Sequence, residues 1–337
     1  MNSYERLYRR MNGENIDQLP NMCLIMTFAA KQIGVPYGKY VSDYRLLSEG
    51  VWLCYEKFGI DALCVISDPM REAEGLGAKV IIPEDDVPYS PQPLITDISM
   101  ISSLKAVDPS SSRRMNDRLE AIRILKDRAM GEVAVVGWVE GAVAESCDLM
   151  NMSEFMINLL DYPEEMQEML ERCTEQSILF AKEQIRAGAE IIGIGDAASS
   201  LIGPSLFEEF ALPFQQKLIR AVHKEGAKVK LHICGDINPV LTLVAQTGAD
   251  IIDLDHMVDM KKAAQLFPST CSIAGNFDPI SILFQGKPEF IEKTIINSTS
   301  EISLLNHNIV SAGCEIPKNT LVENVMSICR AIHKMRL

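Results

Sequence analysis

The chain has 337 residues, 47% of them hydrophobic and 23% charged, with a formal net charge of −14. That balance suits one large soluble domain with a sizeable core. The acidic excess argues against nucleic acid or an anionic membrane as the main partner, since both need basic surface.

Nine scattered cysteines lack the spacing of a disulfide framework and point to a reducing, cytoplasmic setting. The polar start MNSYERLYRRMNGEN reads as lacking a signal peptide. No apolar run approaches the roughly 18 residues of a membrane span.

In chain order, runs rich in β-branched residues predict strands at 22–26, 62–67, 133–138, 191–195, 228–234, 250–254, 271–275 and 308–313. They lack clean polar alternation, as expected of parallel strands buried on both faces. Helices fall between them. Asp161 and Pro163 read as N-cap and first helical residue of one, and Asp278-Pro279 opens another. Ser205 with Glu208 and Thr320 with Glu323 have capping-box spacing. Eight strands, each followed by helix, predict a (β/α)₈ TIM barrel, a single domain over 1–337. The irregular stretch around 69–132, with Pro83, Pro88, Pro91 and Pro93, reads as an insertion.

In such a barrel the chemistry sits at the C-terminal strand ends. Taken in order, those ends carry Asp68, then Glu140, then Asp196. His232, Cys234 and Asp236 follow, then Asp255-His256, Asn276 with Asp278, and Cys314-Glu315. Turn formation explains some of the Asp and Asn residues, but not two cysteines and a histidine. His232 and Cys234, two apart on a strand, share a face. With Cys314 they make a Cys₂His set that leaves one position open, the pattern of catalytic zinc. The same cysteines also fit as small buried apolar residues. GIGDAA (193–198) matches a dinucleotide fingerprint. Asp196 would face the pyrophosphate, however, and SSLIGP stands where the helix should begin, so nucleotide binding is not expected.

Taken together, VSDPMREAEGLG, GWVEG, GDAASSLIGPSLFEEFALPF, LHICGD, GADIIDLDH, AGNFDP and AGCEIP resemble the uroporphyrinogen decarboxylase superfamily over nearly the whole chain. The H-x-C pair with the distal G-C-x-I-P is similar to its zinc-dependent corrinoid methyltransferase branch, which includes the methylcobamide:coenzyme M methyltransferases. The decarboxylases carry an arginine motif near the N-terminus. The corresponding MTFAAKQIGVPYGKY (26–40) has no arginine, which is awkward for a substrate with eight carboxylates.

The resemblance implies zinc held by His232, Cys234 and Cys314, with Asp255 able to close the metal's sphere when substrate is absent. It also implies that Asp68 and Asp196, joined by Glu140 and Asn276, face the pocket as catalytic candidates. Glu315 stands where several relatives have glycine. The implied activity moves a methyl group between corrinoid cobalt and a small-molecule acceptor or donor: a thiol, tetrahydrofolate or a methylated substrate. The corrinoid (cobalamin) would arrive on a separate corrinoid protein or as free cofactor. Two other readings stay open: a decarboxylase that needs no metal, and a non-catalytic corrinoid- or metal-binding barrel.

Overall fold

The computed structural model describes residues 1–302 and 307–335. Seven strands, β1 (Ala62–Cys64), β2 (Ala134–Glu140), β3 (Ile191–Gly195), β4 (Lys228–Ile233), β5 (Ile251–Leu254), β6 (Ser272–Phe277) and β7 (Ile309–Ala312), form one parallel sheet in sequential order. The order follows from the connections: each passes through helix, and a helical crossover returns the chain parallel to the strand it left. One apolar cluster joins Ala62 of β1, Trp138 of β2, Ile191 of β3, Ile251 of β5 and Ile309 of β7. Residues from both ends of the sheet meet in it, so the sheet curls around this face. The larger core lies on the other face, between strands and helices.

The strand expected at 22–26 does not form. The chain there makes a single parallel bridge, Asn21 to Val310. Met22 N donates to Val310 O, and Val310 N to Pro20 O, both at 2.9 Å. On the other side Asp61 N donates to Asn21 O at 2.7 Å. Two features stop a ladder: Pro20 has no N–H, and Cys23 N turns to the Asn21 side chain at 3.2 Å.

Three helix starts also differ from expectation. Asp161 ends the helix Met152–Asp161, so Tyr162 precedes the helix Pro163–Ala187, which keeps its proline in the first turn. Ser205 lies inside the helix Gly203–Phe210, whose N-cap is Ile202. Leu321, not Thr320, precedes the helix Val322–Lys334. Asp278 behaves as expected and caps Ile280 N at 2.8 Å. Within 69–132 lie the helices Met70–Leu76 and Arg113–Ala129 and the 3-10 turn Ile98–Ser103.

The glycines of GIGDAA have a packing role. A Cβ on Gly193 would sit 2.1 Å from Trp138 Cε3, and one on Gly195 3.1 Å from Trp138 Nε1. The Trp138 indole on β2 therefore lies across β3. Only the short 3-10 turn Ala197–Leu201 follows, so no long helix presents its N-terminus to a phosphate. No helix among the described residues is long and apolar enough to cross a membrane.

Candidate metal centre

β4 carries His232 directly between its register partners, Gly195 of β3 and Asp253 of β5. Cys234 follows on the same face, and Gly235 at φ +88° turns the chain away. Cys314 comes in just after β7. The His232 nitrogen and the two sulfurs all lie within 4.8 Å of one another. His232 Nε2 is 3.0 Å from Cys234 Sγ, and Cys234 Sγ is 3.9 Å from Cys314 Sγ. Tetrahedral zinc with Zn–S bonds of about 2.3 Å places its sulfurs about 3.8 Å apart, so the sulfur pair already has the required spacing. His232 is buried and both cysteines are half-buried, which leaves one side of the group open to a fourth ligand.

The charges also suit a cation. A hydrogen bond from Cys234, with help from His232, brings the Cys314 thiol down to about 4. Sharing with Cys314, and burial, push the Cys234 thiol up. Burial works against a charged His232, but Asp253 and Cys314 outweigh it and raise the imidazole to about 10. One thiolate is therefore in place, and the second sulfur and the imidazole would give up protons to a metal.

The remaining predicted residues are placed around this group rather than in it. Asp255 Oδ2 accepts from Gly235 N at 2.9 Å, and Oδ1 lies 2.6 Å from His256 Nδ1. It therefore braces the turn that carries Cys234. Asn276 donates to the carbonyls of Asp255 (3.0 Å) and Val258 (2.8 Å), fixing the loop after β5. Asp68 is fully occupied: Arg114 reaches it at 2.9 and 2.5 Å and Ser67 Oγ at 2.7 Å. Burial raises its carboxyl, but Arg114 overrides that and holds it below the usual range. Glu140 pairs with Arg71 Nη2 at 2.9 Å, and burial pushes it well up. Asp196 accepts from Ala144 N (2.9 Å) and Gln215 Nε2 (2.7 Å) and is raised to about 6 by burial. It ties β3 to the helix Ala142–Met150. Glu315 accepts from Thr27 N at 2.6 Å and from Thr27 Oγ1, joining the Cys314 loop to the N-terminal segment.

Sequence reasoning missed two buried charges beneath His232, Lys230 and Asp253. Their signal was present: both fall on the same strand face as the ligands, where a buried strand should be apolar.

The family model for uroporphyrinogen decarboxylase (URO-D) matches residues 2–335. The chain belongs to the uroporphyrinogen decarboxylase family. Among its relatives, a methylcobamide:CoM methyltransferase of Methanosarcina mazei is 26% identical, covering 98% of each chain. A uroporphyrinogen decarboxylase of Prochlorococcus marinus is 30% identical over 88% of this chain and 87% of its own length. The solved structure of a methyltransferase from Methanosarcina mazei superposes with a TM-score of 0.91, covering 99% of both chains at 22% identity, which establishes a shared fold.

Proposed function

We propose that this protein is a zinc-dependent methyltransferase that moves a methyl group between a corrinoid cobalt and a small-molecule acceptor or donor. The observation that carries the reading is the convergence of His232, Cys234 and Cys314 within 4.8 Å. A decarboxylase has no use for such a set. Similarity to the methylcobamide:CoM methyltransferases over nearly the full length supports the same reading. The 30% identity to a decarboxylase is a likeness of family. This chain ties up two buried arginines at the strand ends with its own carboxylates, Arg114 with Asp68 and Arg71 with Glu140. Asp68 takes both terminal nitrogens of Arg114, so that guanidinium is not open to bind a polycarboxylate.

Seven strands with the segment around Asn21 between β7 and β1 fit a closed (β/α)₈ barrel, which we take as one domain over 1–337 in a cytoplasmic protein. Bound at the rim, zinc would supply a Lewis acid that holds a substrate thiol deprotonated or polarises a methylated atom, and the corrinoid would carry the methyl group. His232, Cys234 and Cys314 would hold the metal. Asp255, which here braces the Cys234 turn through Gly235 N, would serve as an exchangeable fourth ligand at rest by turning from that contact toward the metal. Asn276 keeps that loop in place. Glu140 is one strand from β3 on the rim and would line the substrate space, while Asp68 and Asp196 stiffen its wall. The corrinoid would come on a partner protein or as free cobalamin.

The test is elemental analysis of purified protein. About one zinc per chain is expected, and Cys234→Ala and Cys314→Ala should lose most of it while staying folded, because the apolar core does not involve the ligands. Stoichiometric zinc in both variants would sink the assignment.

A further inference from the structure

Lys230 and Asp253 are a costly choice for the inner face of this sheet. Both are fully buried, 1% and 2% exposed, and both face the apolar cluster that fills the curl. Lys230 Nζ lies 2.9 Å from Asp253 Oδ2 and donates to Met22 O at 3.3 Å. A buried ion pair contributes little net stability after desolvation, and two apolar side chains of similar volume would serve the core as well or better.

Their position suggests what they do. Asp253 is the register partner of His232. His232 Nδ1 is 3.0 Å from the Asp253 backbone oxygen and 3.4 Å from Oδ2, while Nε2 faces Cys234 Sγ. A metal-binding histidine needs its second nitrogen held by an acceptor, which fixes the tautomer and the ring orientation. The hydrogen bond formed runs to the Asp253 backbone oxygen; the carboxylate lies within reach at 3.4 Å, and neither of its oxygens has a hydrogen-bond partner among the described residues. A lone carboxylate under the ring would leave an uncompensated buried charge, and Lys230 balances it.

We propose that the Lys230–Asp253 pair is a positioning unit for the metal. Asp253 holds the His232 imidazole with Nδ1–H turned inward and Nε2 presented to the ion, and Lys230 keeps the layer beneath neutral. The inference rests on the zinc reading above. Two thiolates, a neutral imidazole and a dication sum to zero charge, and so do Lys230 and Asp253; each layer is neutral separately. Removing only the carboxylate places a bare ammonium below a dication.

The experiment measures zinc affinity of the full chain by chelator competition, with absorption of the cobalt(II)-substituted protein as a second readout. Asp253→Asn should weaken zinc about 10–100-fold, the range for partners that orient a ligand, and should shift the cobalt ligand-field bands. Lys230→Met should bind zinc at least as tightly as wild type. The double variant Lys230→Met/Asp253→Asn should bind more tightly than Asp253→Asn, since the bare ammonium is gone, yet more weakly than wild type. If Asp253→Asn does not fold, the double variant, with neither charge buried, still carries the test. A double variant within twofold of wild type with unchanged cobalt bands overturns the proposal, as does one that binds no better than a folded Asp253→Asn. Cys314→Ala measured in parallel separates the two ideas: zinc retained there overturns the metal site, whereas zinc lost there with wild-type affinity in Asp253→Asn overturns only the positioning unit.

Discussion

Glu145 is fully buried, and neither of its carboxylate oxygens has a hydrogen-bond donor among the described residues. Burial, reinforced by Glu72 and Asp148, pushes its carboxyl well above the usual range. Burial also takes Asp148 to about 8. Both groups keep their protons in the folded state at pH values where the unfolded chain, with carboxyl values near 4, has lost them. The stability they contribute is fully present below about pH 4 and is lost as pH rises through their raised values, about 8 for Asp148. Thermal unfolding should therefore fall between pH 5 and pH 8, and in Glu145→Gln that fall should shrink by about 2–4 °C. An unchanged slope in the variant would show that Glu145 is ionised in the folded protein.

At the same scale, the convergence of His232 and Cys234 was legible in the sequence because strand parity sets them on one face, whereas Cys314 was joined to them through the order of strand ends and the family resemblance. The partners of Asp68 and Glu140 were not legible. Arg114 lies 46 residues from Asp68 in the chain, and only the packing of the helix Arg113–Ala129 against the sheet brings them together. Acidic residues that read as pocket-facing thus turn out to be held by long-range hydrogen bonds.

Among the elements, β3 shows how a backbone motif takes its meaning from its neighbour. Gly193 and Gly195 match the dinucleotide fingerprint in sequence, but Trp138 occupies the space a side chain would need. Gly193→Ala should cost about 1–3 kcal/mol through overpacking. It should also shift tryptophan fluorescence, since Trp138 is one of only two tryptophans. A variant with wild-type stability and emission would mean that the indole packs elsewhere. Strand positions from β2 to β7 were readable to within about two residues, because fully buried runs of β-branched residues leave a strong signal. Helix starts were read less well. Asp161 and Thr320 are good capping types, yet Asp161 is taken into the preceding helix and Leu321 precedes the last one, one-residue shifts of the kind helix boundaries commonly show.

For the whole molecule, the weakest signal was at the seam between β7 and β1, where a strand was expected and an irregular segment lies. Asp61 organises that seam. Its Oδ1 accepts from Ser3 Oγ and Arg6 Nη1, both at 2.6 Å, and its Oδ2 from Asn21 N at 2.8 Å. Asp61→Ala leaves the buried end of Arg6 without this partner and should cost about 3–5 kcal/mol, with faster amide exchange at Met22 and Val310. Unchanged exchange at those two amides would mean that Asp61 does not hold the seam.

The function assigned to the molecule as a whole rests on the metal group at its rim, and cobalt absorbance tests it directly. Zinc-loaded protein is mixed with methylcob(III)alamin and small thiols, and separately with cob(I)alamin and methyl donors. Interconversion of the two cobalt states is expected in one of these directions, abolished by zinc removal and by Cys314→Ala. Unchanged cobalt spectra throughout, with release of carbon dioxide from uroporphyrinogen whether or not zinc is present, would contradict the assignment.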